Sequence, residues 1–136
     1  MADTIRMVDY YYTMVPDKPG EGVKILAALR DNGVNLLAFS GFPQGRRAQL
    51  DFIPDDAAAF VAVARRAKWK ISSKKTGFLV QGDDRVGACL DWLSKLAAAK
   101  INVTAVDAVS AGAGRYGAIC WVKPRDVNRA AKVLGI

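Results

Sequence analysis

Few residues in this sequence have the type and spacing that chemistry needs. Two acid pairs stand out, Asp55-Asp56 and Asp83-Asp84, with one lysine pair, Lys74-Lys75, two cysteines, Cys89 and Cys120, and the turn Gly112-Ala113-Gly114. Paired carboxylates can divide general acid and base work. An amine or thiolate can attack a carbonyl carbon. A glycine-rich turn can cradle a phosphate. Each candidate meets an objection. Both acid pairs stand where helical patterns begin, and there a carboxylate satisfies free N–H groups and the helix dipole. Lys74-Lys75 lies in a polar turn with no apolar pocket around it. The glycine turn is too short for a dinucleotide fingerprint and lacks the third glycine that opens a helix. Histidine is absent, which removes Ser-His-Asp and Cys-His catalysis and imidazole metal sites together. Two isolated cysteines cannot build a thiolate zinc cluster. The expectation is no catalytic residue, no metal and no cofactor.

What remains is an internal repeat. Gly33-Val34-Asn35-Leu36 overlays Lys100-Ile101-Asn102-Val103, and the same shift carries Asp17 onto Asp84, Lys18 onto Arg85, Gly20 onto Gly87, Leu26 onto Leu93 and Leu29 onto Leu96. After a short insertion, Pro54 falls on Pro124 and Asp56 on Asp126. The chain reads as two copies of one unit of about 65 residues.

Each copy alternates strands and helices. Met7 to Met14 is aromatic and β-rich, a strand. Asp17-Lys18-Pro19-Gly20 then opens a helix, with Asp17 suited to the N-cap and Pro19 to the first turn. Gly22, Ile25, Leu26 and Leu29 form one apolar face at helical spacing, and Asn32-Gly33 stops it. Strands follow at Leu36 to Ser40 and Ala48 to Ile53, around a loop from Gly41 to Arg46. A helix with the stripe Ala57, Phe60, Val61, Ala64 comes next, then a fourth strand from Trp69 to Ser73. The second copy repeats the order: a strand at Phe78 to Gln81, a helix with the stripe Cys89, Trp92, Leu93, Leu96, strands at Val103 to Val109 and Tyr116 to Val122, and a helix with the stripe Val127, Ala130, Ala131, Leu134. It has little or no fourth strand. If the copies match, Ile25 and Leu26 are buried like Trp92 and Leu93.

The fold class expected is α+β: two ferredoxin-like βαββαβ units in tandem, residues 1–75 and 76–136, with helices on one face of antiparallel sheets. Tyr10, Tyr12, Phe39 and Trp121 are too apolar to leave a whole sheet face in water. That face or a sheet edge is expected to pair with the other copy or another chain, giving a homodimer.

The run from Val15 to Leu36, V-P-D-K-P-G-E-G-V-K-I-L-A-A-L-R-D-N-G-V-N-L, resembles the ACT domain, a small-molecule-sensing regulatory fold. That family shows an acidic or amide residue, a variable residue, Pro-Gly, a helix, and a Gly-Val/Ile-Asn-Ile/Leu segment entering the second strand. The resemblance implies a tandem ACT-domain protein with no attached enzyme, which binds an amino acid where ACT-like units meet and regulates an enzyme or transcription factor in trans. Carried over residue by residue, it implies ligand contacts from Asp17, Pro19, Gly20 and Asn35 in the first copy and Asp84, Gly87 and Asn102 in the second. The chemistry is apt. Glycine at a helix start lets backbone N–H groups approach a carboxylate, and the dipole favours that charge. Asparagine offers both a donor and an acceptor. The second copy departs from the pattern, with Val86 where proline is expected and a second acid, Asp83, beside the first. Two roles therefore stay open for it, ligand binding through Asp84, Gly87 and Asn102 or structural pairing alone.

Two other functions fit the same topology: a purely structural dimerisation module and a single-stranded RNA-binding module. Arg115-Tyr116-Gly117-Ala118-Ile119-Cys120-Trp121-Val122 partly echoes the third strand of the RNA-recognition fold, and Phe78 is placed to supply a stacking ring. Against that, Arg47-Ala48-Gln49-Leu50-Asp51-Phe52 carries an acid and lacks the rings. Tyr116 and Trp121 also point to opposite faces of a regular strand. The charge of +7 divides evenly between the halves. Its one dense run, Arg65, Arg66, Lys68, Lys70, Lys74 and Lys75, reads as a solvated helix end, so nucleic acid is not the expected partner. The composition, 51% apolar and 24% charged, is that of a globular chain. No apolar run is long enough to span a bilayer. The start, Met1-Ala2-Asp3-Thr4-Ile5-Arg6, has no basic region followed by an apolar core, so no leader is expected. Cysteines in apolar stretches read as buried free thiols in a cytoplasmic protein.

Overall fold

The computed structural model describes residues 3–136. Met1 and Ala2, the beginning of the segment read for a leader, lie outside the described residues. The chain forms two compact units. The first runs from Asp9 to Lys75. The second combines Thr76 to Ile136 with the residues up to Val8.

The first unit holds the later part of strand β1 (Thr4–Pro16), helix α1 (Glu21–Asp31), strands β2 (Leu36–Gln44) and β3 (Arg47–Pro54), and helix α2 (Ala57–Ala67). Its strands are ordered β2-β3-β1. Both pairings are antiparallel, with Tyr11 opposite Phe52, Pro16 opposite Arg47, and Leu36 opposite Pro54. The apolar stripes put α1 and α2 on one face of this sheet. Tyr11, Ile25, Leu29, Leu50, Phe52, Phe60 and Val63 form the core there. Tyr11 and Phe52 each place a ring 5.3 Å from that of Phe60, an aromatic cluster that fixes α2 on the strands.

The second unit holds the start of β1, strand β4 (Lys75–Asp83), helix α3 (Ala88–Ala98), strands β5 (Val103–Gly112) and β6 (Arg115–Val122), and helix α4 (Val127–Leu134). Its strand order is β1-β4-β6-β5. Phe78, Val80, Trp92, Leu96, Cys120 and Leu134 are among its core residues. Cys89 and Cys120 are free thiols. The two-copy fold is therefore the α+β tandem that the repeat implied. Trp92 is 2% exposed and Ile25 6%, while Leu93 and Leu26 are both half-buried. The repeat alignment holds at these positions.

Three local expectations are corrected. Trp69 to Ser73 is not a strand. It runs beside β1 but is tied there partly by side chains: Thr13 Oγ1 donates to the Lys70 carbonyl at 2.6 Å, and Ser72 Oγ accepts from Tyr12 N at 3.0 Å. A regular ladder does not form because hydroxyls take backbone bonding sites. Both hairpins are longer than the sequence suggests, with turns of only Gly45-Arg46 and Ala113-Gly114. Pro43 is accommodated because β2 is an edge strand, where a missing N–H costs no ladder bond. Asp17 and Asp84 are not N-caps. Gly20 and Gly87 hold those positions in the left-handed region, at φ 89° and 73°, with no side-chain cap. Asp56, in contrast, caps α2 by accepting from Ala59 N at 3.1 Å.

Candidate functional site

In the first unit, Asp17, Pro19 and Gly20 form an exposed loop between β1 and α1. The N–H groups of the first turn of α1 receive no side-chain cap, and a side chain at Gly20 would meet nothing within 4 Å. The loop therefore offers open backbone donors at the positive end of a helix. Glu21 places a carboxylate in that turn, and Lys24 neutralises it at 2.8 Å; this pairing holds the Glu21 carboxyl below its ordinary pKa. Asn35 is exposed just before β2. Its carbonyl accepts from Asp55 N at 2.9 Å, and its side chain has no partner among the described residues.

These residues do not converge within the unit. The loop follows Pro16, opposite Arg47, and Asn35 precedes Leu36, opposite Pro54. Arg47 and Pro54 are the two ends of β3, so the loop and Asn35 stand about 20 Å apart at ~3.3 Å per residue.

The second unit repeats this geometry. Asp84 and Gly87 adjoin the β4 end at Asp83, opposite Arg115, whereas Asn102 precedes Val103, opposite Val122. The acids, however, are occupied. Asp83 is bridged to Arg115 at 2.8 Å. Asp84 accepts from the Ser110 hydroxyl at 2.9 Å, and its N–H donates to the Gly114 carbonyl at 2.8 Å, tying the loop to the β5–β6 hairpin.

A second cluster in this unit was not singled out from the sequence. Arg85 donates to both oxygens of Asp3, at 3.2 and 3.4 Å, to the Asp83 carbonyl at 2.9 Å and to Asp91 at 3.3 Å. The Asp3 side chain is only 8% exposed. Burial pushes its carboxyl pKa up, but Arg85 and the nearby Tyr116 hydroxyl outweigh this and hold it below the ordinary value. Burial first, then Asp3, pushes the Tyr116 phenol up to about 12. Tyr116 lies within electrostatic reach of Asp3 and the Trp92 indole, though neither contact has hydrogen-bond geometry. The alignment of Lys18 with Arg85 was the signal available, but it gave no hint of Asp3. In the first unit, Asp51 is also buried, accepting from Gln49 Nε2 at 2.9 Å. Burial, followed by the charge of Asp51, raises the neighbouring Tyr10 phenol.

The rings that echo an RNA-binding strand are not displayed. Phe78 is fully buried and Tyr116 is 5% exposed, both in the helix-side core, and Trp121 is 6% exposed. Stacking on bases needs open ring faces, so this platform is missing. Among the described residues no group of His, Cys, Asp and Glu could hold a metal ion, and no helix is long and apolar enough to cross a membrane.

The fold is ACT-like. No protein-family model matches the sequence, and no curated protein matches it. Solved structures do match. A Bacteroides thetaiotaomicron protein superposes with a TM-score of 0.82 at 12% identity, over 96% of this chain and 88% of that one. The regulatory subunit of aspartate kinase from Thermus thermophilus, in its ligand-free form, gives 0.66 at 14% identity, over 97% and 93%. Aspartokinase alpha and beta subunits give 0.63 at 17%, over 98% and 95%. At these identities the likeness is one of fold.

Proposed function

We propose that this chain is a non-catalytic regulatory protein that binds an amino acid, with Asp17, Pro19, Gly20 and Asn35 of the first unit as the ligand contacts. The observation that carries the reading is the exposed, uncapped start of α1, with Gly20 in the left-handed region and Asp17 unpaired among the described residues. Backbone N–H groups there suit a carboxylate, and Asp17 suits an ammonium. The regulatory subunits that share the fold support a regulatory role. Asn35 lies too far from the loop of its own unit to touch the same small ligand, so a second copy of the chain supplies it, in a homodimer. Exposed edge strands suit that pairing: β5 is exposed along nearly its whole length, with Val109 68% exposed, and β2 exposes Phe39 and Phe42. An unprotected edge of this kind favours pairing with another chain. The second unit, with Asp84 engaged by Ser110 and Asp83 by Arg115, serves as a structural partner rather than a ligand site. The chain acts on an enzyme or transcription factor in trans, in the cytoplasm, where the buried Cys120 stays reduced.

A thermal-shift screen of the twenty amino acids tests this reading. A ligand at a hundredfold excess over its Kd stabilises the folded state by ~2.7 kcal/mol. If no amino acid shifts the melting temperature, the proposal fails for free amino acids.

A further inference from the structure

A cavity of about 650 Å³ in the second unit opens between the start of β1, helix α3 and the end of α4. That volume lies in the range of small-molecule sites. Ile5, Trp92 and Leu134 give it apolar walls, and Arg85, Asp91 and Lys95 give it charge. Arg85 is fully committed to Asp3, Asp83 and Asp91. Lys95 is not. It follows Asp91 by one helical turn, the spacing at which an ion pair ordinarily forms, yet Asp91 turns to Arg85 instead. Lys95 has no partner among the described residues. Trp92, 2% exposed, closes the wall on the core side. A cation without a counterion, set beside apolar walls, matches one kind of molecule.

We propose that this cavity binds a small carboxylate with an apolar body, its carboxylate on Lys95 and its body against Ile5, Trp92 and Leu134. The site uses none of the loop residues, so it stands or falls apart from the loop reading. A ligand seated there touches the start of β1 as well as α3 and α4, and so fastens that strand to the second unit.

The test measures melting temperature and calorimetric affinity with three probes: 4-methylpentanoate, its neutral amide, and leucine. They share an aliphatic body. The acid lacks the ammonium of leucine, and the amide lacks the charge. Lys95 is exposed, so Lys95→Gln is expected to leave the melting temperature of the unliganded protein unchanged. The expected result is binding of the acid or of leucine, no binding of the amide, and affinity at least about tenfold weaker in Lys95→Gln, the loss of one charge-assisted bond. Two results overturn the proposal: neither carboxylate binds, or binding survives Lys95→Gln. Leucine binding that survives Lys95→Gln but is lost in Asn35→Ala overturns it while leaving the loop reading standing.

Discussion

Replacing Asn35 by alanine separates ligand recognition from folding. The side chain is exposed and has no partner among the described residues, and the bond from Asp55 N falls on the backbone carbonyl, which alanine keeps. The change should cost the unliganded protein less than ~0.5 kcal/mol. For a chain of 136 residues, an unfolding entropy of ~2.1 cal/mol/K per residue makes 1 kcal/mol worth ~3.5 °C. An amino acid at a hundredfold excess should then raise the melting temperature of the wild type by ~9 °C. Loss of one or two ligand hydrogen bonds, ~1–3 kcal/mol of affinity, should cut that shift to ~1–6 °C, against a change in the unliganded protein below ~2 °C. Gly20→Val should behave differently. Its side chain meets no neighbour, but φ is +89°, and an L side chain there costs ~1–2 kcal/mol. The unliganded protein should melt ~4–7 °C lower, and the ligand shift should vanish. Because the loop and Asn35 stand at opposite ends of β3, a dimer mixed from the two variants should regain one intact site of two. The reasoning is refuted if Asn35→Ala retains the full ligand shift, or if the mixture binds no better than either parent.

Other consequences are direct. Phe60 is fully buried between Tyr11 and Phe52, so Phe60→Ala should cost about 3–5 kcal/mol in urea denaturation, and a loss under ~1 kcal/mol would count against this core. A methyl group at Gly82 would strike the Asp3 carboxylate and approach the Tyr116 ring to 3.0 Å. Gly82→Ala should therefore destabilise by about 1–3 kcal/mol and speed amide exchange at Thr4 to Val8; unchanged protection would show that the Asp3–Arg85 contact does not hold the start of β1. Burial pushes Cys120 up to about 11 from 9.0, and burial with Asp3 pushes Tyr116 up to about 12 from 10.0. Both groups are neutral in either state below their ordinary values, so their contribution is intact there and is lost as the pH rises from 9 to 12. Urea midpoints should fall over that range, and the fall should be shallower in Tyr116→Phe; equal slopes would refute the assignment. Light scattering at tens of micromolar should give the mass of a dimer, and a monomer mass would remove the second copy from the proposed site.

The helices were legible because burial follows an apolar stripe. Phe60 and Ala64, Trp92 and Leu96, and Ala130 and Leu134 all face the cores that their spacing implies. Capping was misread because aspartate is the commoner N-cap, while Gly20 and Gly87 take a backbone conformation that aspartate favours less. What lay beyond reach was non-local. Asp17 and Asn35 flank one helix in the sequence, but a helix that returns along the sheet places its two flanks at opposite ends. No spacing rule discloses this until the register of β3 is known. The Asp3–Arg85 contact joins residues far apart in the chain, and neither carries a pattern that names the other.

The same register bears on the different tasks proposed for the two copies. The second copy has no fourth strand of its own, and the start of β1 stands beside β4 in that place. Gly77 to Val80 of β4 are all buried, so that strand needs a neighbour on each side. Holding a strand from the far end of the chain takes a specific bond, and Asp3 supplies it on Arg85, which Asp91 also engages; Asp83 on Arg115 and Asp84 on Ser110 tie the β4–α3 loop to the β5–β6 hairpin. The first unit receives its strand from the continuous chain and needs no such fastening. Its corresponding polar groups, Asp17 and the Asn35 side chain, remain without partners among the described residues. In a duplicated unit, polar groups relieved of structural bonding are open to a ligand, and Asp17 has no partner among the described residues where its counterpart Asp84 is engaged by Ser110, which is why the proposed ligand loop is that of the first copy.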